Sequence, residues 1–323
     1  MRKLQLTKAV FVFMSALSAA SAQYTDAINS NRPGLSQSGF SVGKTVFQTE
    51  MGVTYNNRDH QLLETGDQGF NGDFVIRYGA FFEQLELQFR TSYQLSKHYS
   101  SVDNWKTSGF EKIGIGAKFL VYDPYKHFTN DKPNLYSWKA NHRFKYRDLI
   151  PAVALAAHAD LKGSETVHPI GFPNLSLGGY LITHNTFGRT VLVTNWGVRN
   201  FSSEYETFEY IVTFTYGLNS DWSAFVENQG LQSDKHGDLI FRAGLAFLLR
   251  ENLQLDGNVG MSAKNTPSNY TAGIGLSWRF DALYEDVWLR APKEKEEKSE
   301  MDKKMEKAGK KKRKDQVNPE DLE

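Results

Sequence analysis

The sequence predicts an all-β protein, an antiparallel up-and-down β-barrel of about twelve strands that spans a membrane. Three observations predict it. Side chains alternate with a period of two from Val46 to Phe280, most alternating segments are close to membrane-strand length, and short connections alternate with long ones. A tilted strand crosses a bilayer with about 9 to 11 residues. We therefore expect one barrel domain over residues 46–280.

Residues 1–22 have the composition of an export signal. A basic start is followed by an apolar or small stretch over residues 9–22, which ends in the cleavage pattern Ala20-Ser21-Ala22. This stretch is too short to cross a bilayer as a helix, and no other stretch is long and apolar enough. We predict that residues 1–22 are a signal peptide.

The composition suits an exported barrel. The chain has 22 Phe, 15 Tyr and 26 Gly, yet only 40% of its residues are hydrophobic, as expected where alternate side chains face water. It has no Cys, so a closed hydrogen-bonded sheet has to supply its stability. The net charge of +1 gives no reason to expect a nucleic acid partner.

The alternation is clearest from Leu85 to Tyr93, where apolar residues and Thr91 face one side and Glu86, Gln88 and Arg90 the other. The same reading along the chain predicts twelve strands. They lie near residues 46–55, 72–79, 84–94, 110–121, 149–161, 174–184, 189–199, 207–216, 222–229, 238–249, 252–262 and 269–280.

Connection lengths and aromatic residues predict the orientation. Outer-membrane barrels have short periplasmic turns and longer outer loops. From a periplasmic N-terminus, the even connections are short and the odd ones, such as Asn56 to Phe70 and Leu95 to Gly109, are long. The exception is Tyr122 to Asp148, either a periplasmic excursion or a partly folded flap. Outward aromatic residues cluster at both strand ends, as interfacial girdles do.

One hairpin has a predicted register. If strands two and three turn about Phe81-Phe82, Arg77 lies opposite Glu86 and Asp73 opposite Arg90, while apolar residues pair on the outer face. Cross-strand energetics favour such matched pairs. We expect both ion pairs to lie in the lumen.

The inward polar side chains are the candidate solute pathway. Charges inside a barrel influence which solutes pass, but in a narrow twelve-stranded barrel they could instead pair and fill the interior. The sequence leaves both readings open. The predicted lumen-lining residues are Glu50, Asp73, Arg77, Glu86, Arg90, Lys112, Lys118, His158, Arg242, Asp256 and Arg279.

The sequence contains few residues that would indicate a catalytic or cofactor-binding site. The common zinc signatures are absent, and Gly-rich segments such as Gly114-Ile115-Gly116 lie within strands, without the helix that a nucleotide site needs. His158 and Asp160 share a strand face but lack an identifiable nucleophile, so we expect a hydrogen-bonded lumen pair. No cofactor, no metal and no enzymatic activity are predicted.

The two ends differ from the barrel. Residues 23–45 are polar, with a turn-like Asn31-Arg32-Pro33-Gly34 element, and are expected either to lie across the periplasmic mouth or to plug the lumen. Residues 281–323 become almost entirely charged after Arg290, with both signs mixed. They are predicted to be a disordered periplasmic tail, which offers a contact for a periplasmic partner.

Several of these residues resemble a known family. Thr25-Asp26, Asn31-Arg32-Pro33-Gly34 and the first-strand motif Phe47-Gln48-Thr49-Glu50-Met51-Gly52 are similar to the start of outer-membrane transporters labelled for the MetA pathway of phenol degradation. The Glu227 strand and the final strand ending in Trp278-Arg279-Phe280 fit as well. The resemblance covers about residues 24 to 280 and implies an outer-membrane barrel with a transport role.

We therefore expect a bacterial outer-membrane channel or transporter for small solutes, apolar or aromatic ones included, surrounded by outer-membrane lipids. One alternative is a plugged structural barrel that scaffolds a periplasmic or envelope complex. The other is a lipid-acting enzyme, which would need a Ser near a lipid-facing His158; the predicted inward position of His158 argues against it.

Overall fold

The computed structural model describes residues 27–124, 149–282 and 284, and over these residues the chain forms a closed barrel of twelve antiparallel strands. Each strand pairs with its sequence neighbours and β1 closes on β12. The predicted fold class is confirmed. The strands are β1 Phe47–His60, β2 Thr65–Gly79, β3 Leu85–Ser100, β4 Asn104–Tyr122, β5 Ala152–Lys162, β6 Leu175–Phe187, β7 Thr190–Arg199, β8 Thr207–Gly217, β9 Trp222–Ser233, β10 Gly237–Arg250, β11 Leu253–Ser262 and β12 Ser268–Phe280.

Alternation of side chains sorts the two faces of the barrel wall. On β3, Glu86 is fully buried inside, whereas Leu87 and Phe89 are exposed on the outer face. A closed barrel leaves no unpaired sheet edge, so an apolar exterior can face lipid at every strand. Among the described residues, no helix is long and apolar enough to cross a bilayer.

Exposed aromatic side chains lie towards both ends of the outer face. At the end with short turns, where β1 begins, these are Tyr78, Tyr216, Trp222, Trp278 and Phe280, and towards the other end they are Tyr55, Tyr93 and Tyr270. This placement matches the interfacial girdles of membrane barrels. We assign the end with short turns as periplasmic, because outer-membrane barrels have short periplasmic turns.

Two predicted outer loops are instead strand. β1 and β2 stay paired up to His60 and Thr65, so most of the predicted loop from Asn56 to Phe70 is a β-hairpin. The predicted loop from Leu95 to Gly109 is likewise paired strand except around residues 101–103. These polar sequences lack the apolar alternation by which a membrane strand is recognised, because they extend beyond the bilayer.

The predicted register of β2 and β3 is wrong by two residues. Arg77 lies opposite Gln88 and Gly79 opposite Glu86, because the turn spans residues 80–84 and is centred one residue later than expected. Phe81 adopts a positive φ of 58° within this turn. A two-residue shift preserves which face each side chain occupies, so inward and outward assignments are unchanged.

Three predicted segments fall largely outside the described residues. They are the signal peptide over residues 1–22, most of the connection from Tyr122 to Asp148, and nearly all of the tail over residues 281–323.

Candidate solute pathway in the barrel lumen

The structure places all eleven predicted lumen-lining residues on inward-facing positions of the strands. Seven of them are buried: Glu50, Arg77, Glu86, Lys118, His158, Asp256 and Arg279. The other four line a cavity farther towards the outer end: Asp73, Arg90, Lys112 and Arg242. The inward residues therefore divide into a packed periplasmic group and a cavity-lining outer group.

Residues 27–46 lie inside the lumen and occupy much of its periplasmic half; we call them the plug segment. Near the mouth, the Ile28 N–H donates to the Glu251 carbonyl and Arg279 donates to the Ala27 carbonyl. The chain then turns back within the barrel and enters β1 at Phe47. Of the two positions that the sequence allowed for this segment, the structure shows the one inside the barrel.

A buried ionic network lies between the plug segment and the barrel wall. Arg77 donates to Glu86 through two N–H groups, at 2.8 and 2.9 Å, and to Glu50 at 2.8 Å. The Lys118 ammonium lies 3.2 Å from Glu86. Arg77, Glu86 and Lys118 are each at most 1% exposed. Burying charges is tolerated only when each is paired and hydrogen-bonded, and this network meets that condition.

The backbone of the plug segment completes this network. The Asn29 carbonyl accepts from Arg77, and the Ser38 and Phe40 carbonyls both accept from Lys118 at 2.9 Å. Because these charged donors would otherwise lack partners in a closed interior, the wall and the plug segment stabilise each other.

The turn of the plug segment is held by Glu227 on β9. One carboxylate oxygen accepts from the Leu35 N–H at 2.9 Å, the Ser36 N–H at 3.2 Å and the Thr213 hydroxyl. The other accepts from Arg242. Glu227 therefore fixes the innermost turn of the segment to three neighbouring strands, β8, β9 and β10.

The Arg32 side chain packs over two glycines, Gly52 and Gly275, which pair with each other across β1 and β12. A Cβ on either would lie 2.1 to 2.3 Å from atoms of the Arg32 guanidinium group. Its Nε donates to Asp256 at 3.3 Å. The glycine in the first-strand motif therefore leaves room for the arginine of the Asn31-Arg32-Pro33-Gly34 element.

The second predicted ion pair, Asp73 with Arg90, is wrong. Arg90 instead donates to Asp160 through two N–H groups, at 2.9 and 2.7 Å, across the intervening strand β4. Gly114 lies between them, and a Cβ there would sit 1.8 Å from the Asp160 carboxylate. The missing side chain opens the path across β4, so Arg90 meets Asp160 rather than Asp73.

The expected hydrogen bond between His158 and Asp160 is also wrong. The two residues share the inward face, but Asp160 turns to Arg90. The His158 ring stacks on Tyr180, with ring centroids 5.5 Å apart.

Part of the inner wall is apolar, which the inward polar set did not predict. Leu120, Ala152, Ala154, Ile182 and Val193 form a buried cluster with Tyr180, and Phe40 of the plug segment packs against it. The plug segment is therefore held by apolar burial as well as by hydrogen bonds.

In the part of the chain that the structure describes, three cavities follow one another along the lumen. A periplasmic cavity of about 200 Å³ and a central cavity of about 350 Å³ share Arg32, Pro33 and Gly34 as lining residues. An outer cavity of about 370 Å³ is lined partly by extracellular loops. It shares four lining residues with the central one, Glu111, Lys112, Asp160 and Arg199. The turn of the plug segment thus separates an outer space from a periplasmic one.

Several residues of this pathway escaped the sequence analysis. The sequence points to Glu227 only through the family resemblance, and it does not single out Glu209, Tyr180 or Arg199. Glu209 accepts from Tyr180 and Gln229 in the central cavity. For Glu209 the available signal was a single carboxylate on a strand of apolar and threonine residues, which in a membrane barrel has to face inward.

Glu111 also faces the lumen, against simple alternation. β3 and β4 shift register between Ser92 and Tyr93, so Ser92 lies opposite Lys112 and Tyr93 opposite Phe110. A β-bulge inserts one extra residue and redirects side chains. Ser92 donates to the Glu111 carboxylate at 2.8 Å. Adjacent residues Glu111 and Lys112 therefore both reach the cavities.

The profile of the family described as "Putative MetA-pathway of phenol degradation" matches residues 30–280. The chain belongs to this family. The match starts within the plug segment and ends at the last residue of β12, so it includes both the barrel and the turn held by Glu227. The resemblance seen in the sequence is confirmed, and this family member is an outer-membrane β-barrel of the porin-like class, apolar outside and largely polar inside.

Comparison with solved structures finds other barrels of the outer membrane. An outer-membrane channel from Pseudomonas putida F1 is 11% identical, with a TM-score of 0.49, over 78% of this chain and 100% of that one. The CymD monoaromatic hydrocarbon channel is 8% identical, with a TM-score of 0.42, over 73% and 88%. The KdgM porin in complex with disordered oligogalacturonate is 9% identical, with a TM-score of 0.44, over 71% and 99%. No curated protein sequence matches the chain.

Proposed function

We propose that this family member is a gated outer-membrane channel for small polar solutes. One observation carries the proposal: among the described residues, the turn Arg32-Pro33-Gly34 lies between the central cavity and the periplasmic one, since these three residues line both. Displacing this turn would join the two spaces. Because the plug segment is covalently part of the barrel chain, a displaced turn can return to the same position.

The lining supports polar solutes within the broader class of small solutes. Charged side chains and amides surround the central cavity, among them Asp73, Lys112 and Arg199. A polar solute supplies partners to such groups, whereas an apolar one leaves them desolvated. At about 350 Å³, the cavity is at the lower end of the size range of small-molecule sites.

Planar-bilayer recording and liposome swelling test this function with the full chain and with a variant that lacks residues 27–36. The full chain should show low conductance with brief openings. The variant should show steady conductance and faster entry of small sugars and amino acids. Heat-dependent migration on gels establishes that the variant barrel is folded. A folded variant that conducts no better than empty vesicles would overturn the channel proposal.

The occupied periplasmic half also favours a second candidate, a closed barrel that scaffolds an envelope complex. Its expected result is the opposite: neither the full chain nor the shortened variant passes solutes. A variant lacking residues 291–323 then provides the positive test, because a scaffold that acts through its tail should lose a bound partner.

A further inference from the structure

We infer that the junction of the central and outer cavities binds monoaromatic carboxylates, the carboxylate on Lys112 and Arg199 and the ring against Phe172 and Tyr205. This inference deepens the proposed function, since it names a solute class for the same pathway. It depends on three features of the junction: cations without close ion-pair partners, carboxylates that already accept hydrogen bonds, and a cluster of aromatic rings.

Two cationic groups at the junction lack full partners. The Lys112 ammonium makes no ion pair or side-chain hydrogen bond among the described residues. Among the described residues, the Arg199 side chain has one loose ion contact, 3.5 Å from its Nε to Glu209. Glu209 is already satisfied by Tyr180 and Gln229. Most of the guanidinium N–H groups of Arg199 are therefore available to an anion.

The carboxylates at the junction are occupied. Asp160 accepts two N–H groups from Arg90, and Glu111 accepts from Ser92. A cation entering the junction competes with Arg90 for Asp160, whereas an anion meets Lys112 and Arg199, whose ion contact among the described residues is the loose one from Arg199 to Glu209. A carboxylate with two charged donors forms short, strong hydrogen bonds, so the junction favours anions.

The outer cavity carries the same sign of charge. Its described lining includes four cations, Lys112, Lys162, Arg199 and Lys235, against two carboxylates, Glu111 and Asp160. Lys162 and Lys235 do have ion-pair partners, but these are Glu165 and Glu204, whose side chains are 84% and 87% exposed at the rim. Exposed pairs are screened and weak, so the cavity attracts anions from solution.

Aromatic rings from two extracellular loops lie against this positive space. His168 and Phe172 stack with centroids 4.5 Å apart, and Phe172 meets Tyr205 at 5.3 Å. Phe172 and Tyr205 are partly exposed and line the outer cavity. Tyr205 is fixed by a hydrogen bond from its hydroxyl to the Ile170 carbonyl at 2.8 Å. Lys235 lies over one face of the Tyr205 ring, 3.6 Å from its centroid, so an aromatic solute adds an offset-stacked or edge-on ring at the faces and edges that Lys235 and His168 leave open.

Benzoate binding to the full chain in detergent tests the inference by isothermal titration calorimetry. Three matched compounds separate the contributions: acetate has the charge without the ring, benzyl alcohol the ring without the charge, and benzylamine the opposite charge. Benzoate should bind at least tenfold more tightly than each. Equal binding of acetate and benzoate, or preference for benzylamine, would overturn it.

Three variants locate the site. Lys112→Gln and Arg199→Gln should each weaken benzoate binding about tenfold or more, and Phe172→Leu should weaken it severalfold without affecting acetate. Lys97→Gln is the matched control, because Lys97 is exposed on the outer part of β3, away from the cavities. Lys112→Arg, which keeps the charge, should retain binding; loss of binding in Lys97→Gln to the same extent would contradict this location.

The closed barrel suffices for this measurement, so its outcome is independent of channel opening. Benzoate binding without solute flux would support the site and count against the channel. Flux without selective benzoate binding would support the channel and overturn the site.

Discussion

The two halves of the lumen carry similar charged residues but use them differently. In the periplasmic half, Arg77, Glu86 and Lys118 are almost completely buried and bind each other and the plug segment. In the outer half, Arg90 and Asp160 also pair, but they face a cavity with side chains 17% and 13% exposed. Paired charges on the barrel wall are therefore fully buried where the plug segment packs against them and partly exposed to a cavity where it does not.

The largest expected effect compares one carboxylate from each half. Glu86→Gln removes the negative charge that Arg77 and Lys118 share. Because both cations stay buried, the free energy of unfolding should fall by about 3–5 kcal/mol. Asp160→Asn, at the hydrated pair, should cost about 1 kcal/mol. Urea unfolding followed by tryptophan fluorescence in detergent micelles measures both. Equal losses would remove the distinction between the two halves.

The next effect concerns the attachment of the plug turn. Glu227→Gln weakens the acceptor of the Leu35 and Ser36 N–H groups and leaves Arg242 without its carboxylate. Hydrogen bonds to a charged group contribute about 1.5–3 kcal/mol, so the closed state should lose about that much relative to the open one. Single-channel recording should show openings at least tenfold more frequent. Unchanged opening would show that Glu227 does not hold the gate.

A smaller effect distinguishes two glycines in neighbouring strands. Gly72 is an outward position where an added Cβ meets only the Tyr93 carbonyl oxygen, at 3.9 Å, so Gly72→Ala should stabilise the barrel by about 0.5–1 kcal/mol. Gly52→Ala should not show this gain, because its Cβ displaces Arg32. It should also raise channel opening, though less than Glu227→Gln. Identical behaviour of the two variants would contradict the packing of Arg32 over Gly52.

The smallest effect is expected outside both halves, on the outer hairpin of β1 and β2. Arg58 lies 3.6 Å from Asp67, and its side chain is 53% exposed. Asp67→Asn should change the free energy of unfolding by less than about 1 kcal/mol, and the change should disappear at high salt. A salt-independent loss as large as that of Glu86→Gln would show that exposure does not decide the role of these charges.

The sequence alone determined the barrel, its strand number and the inward position of eleven polar residues. It did so because a strand between lipid and water must alternate, and alternation is a local property that each segment displays independently. It could not determine the register of β2 and β3, since a two-residue shift leaves every face unchanged.

Only the tertiary structure decided which inward charges meet. Arg90 reaches Asp160 because Gly114 leaves space between two strands that are distant in sequence, and Arg32 rests on Gly52 and Gly275 for the same reason. The tertiary structure also decided that the plug segment lies inside the lumen. That segment is polar and irregular, so its position depends on partners contributed by strands around the whole barrel, which exist together only once the barrel has closed.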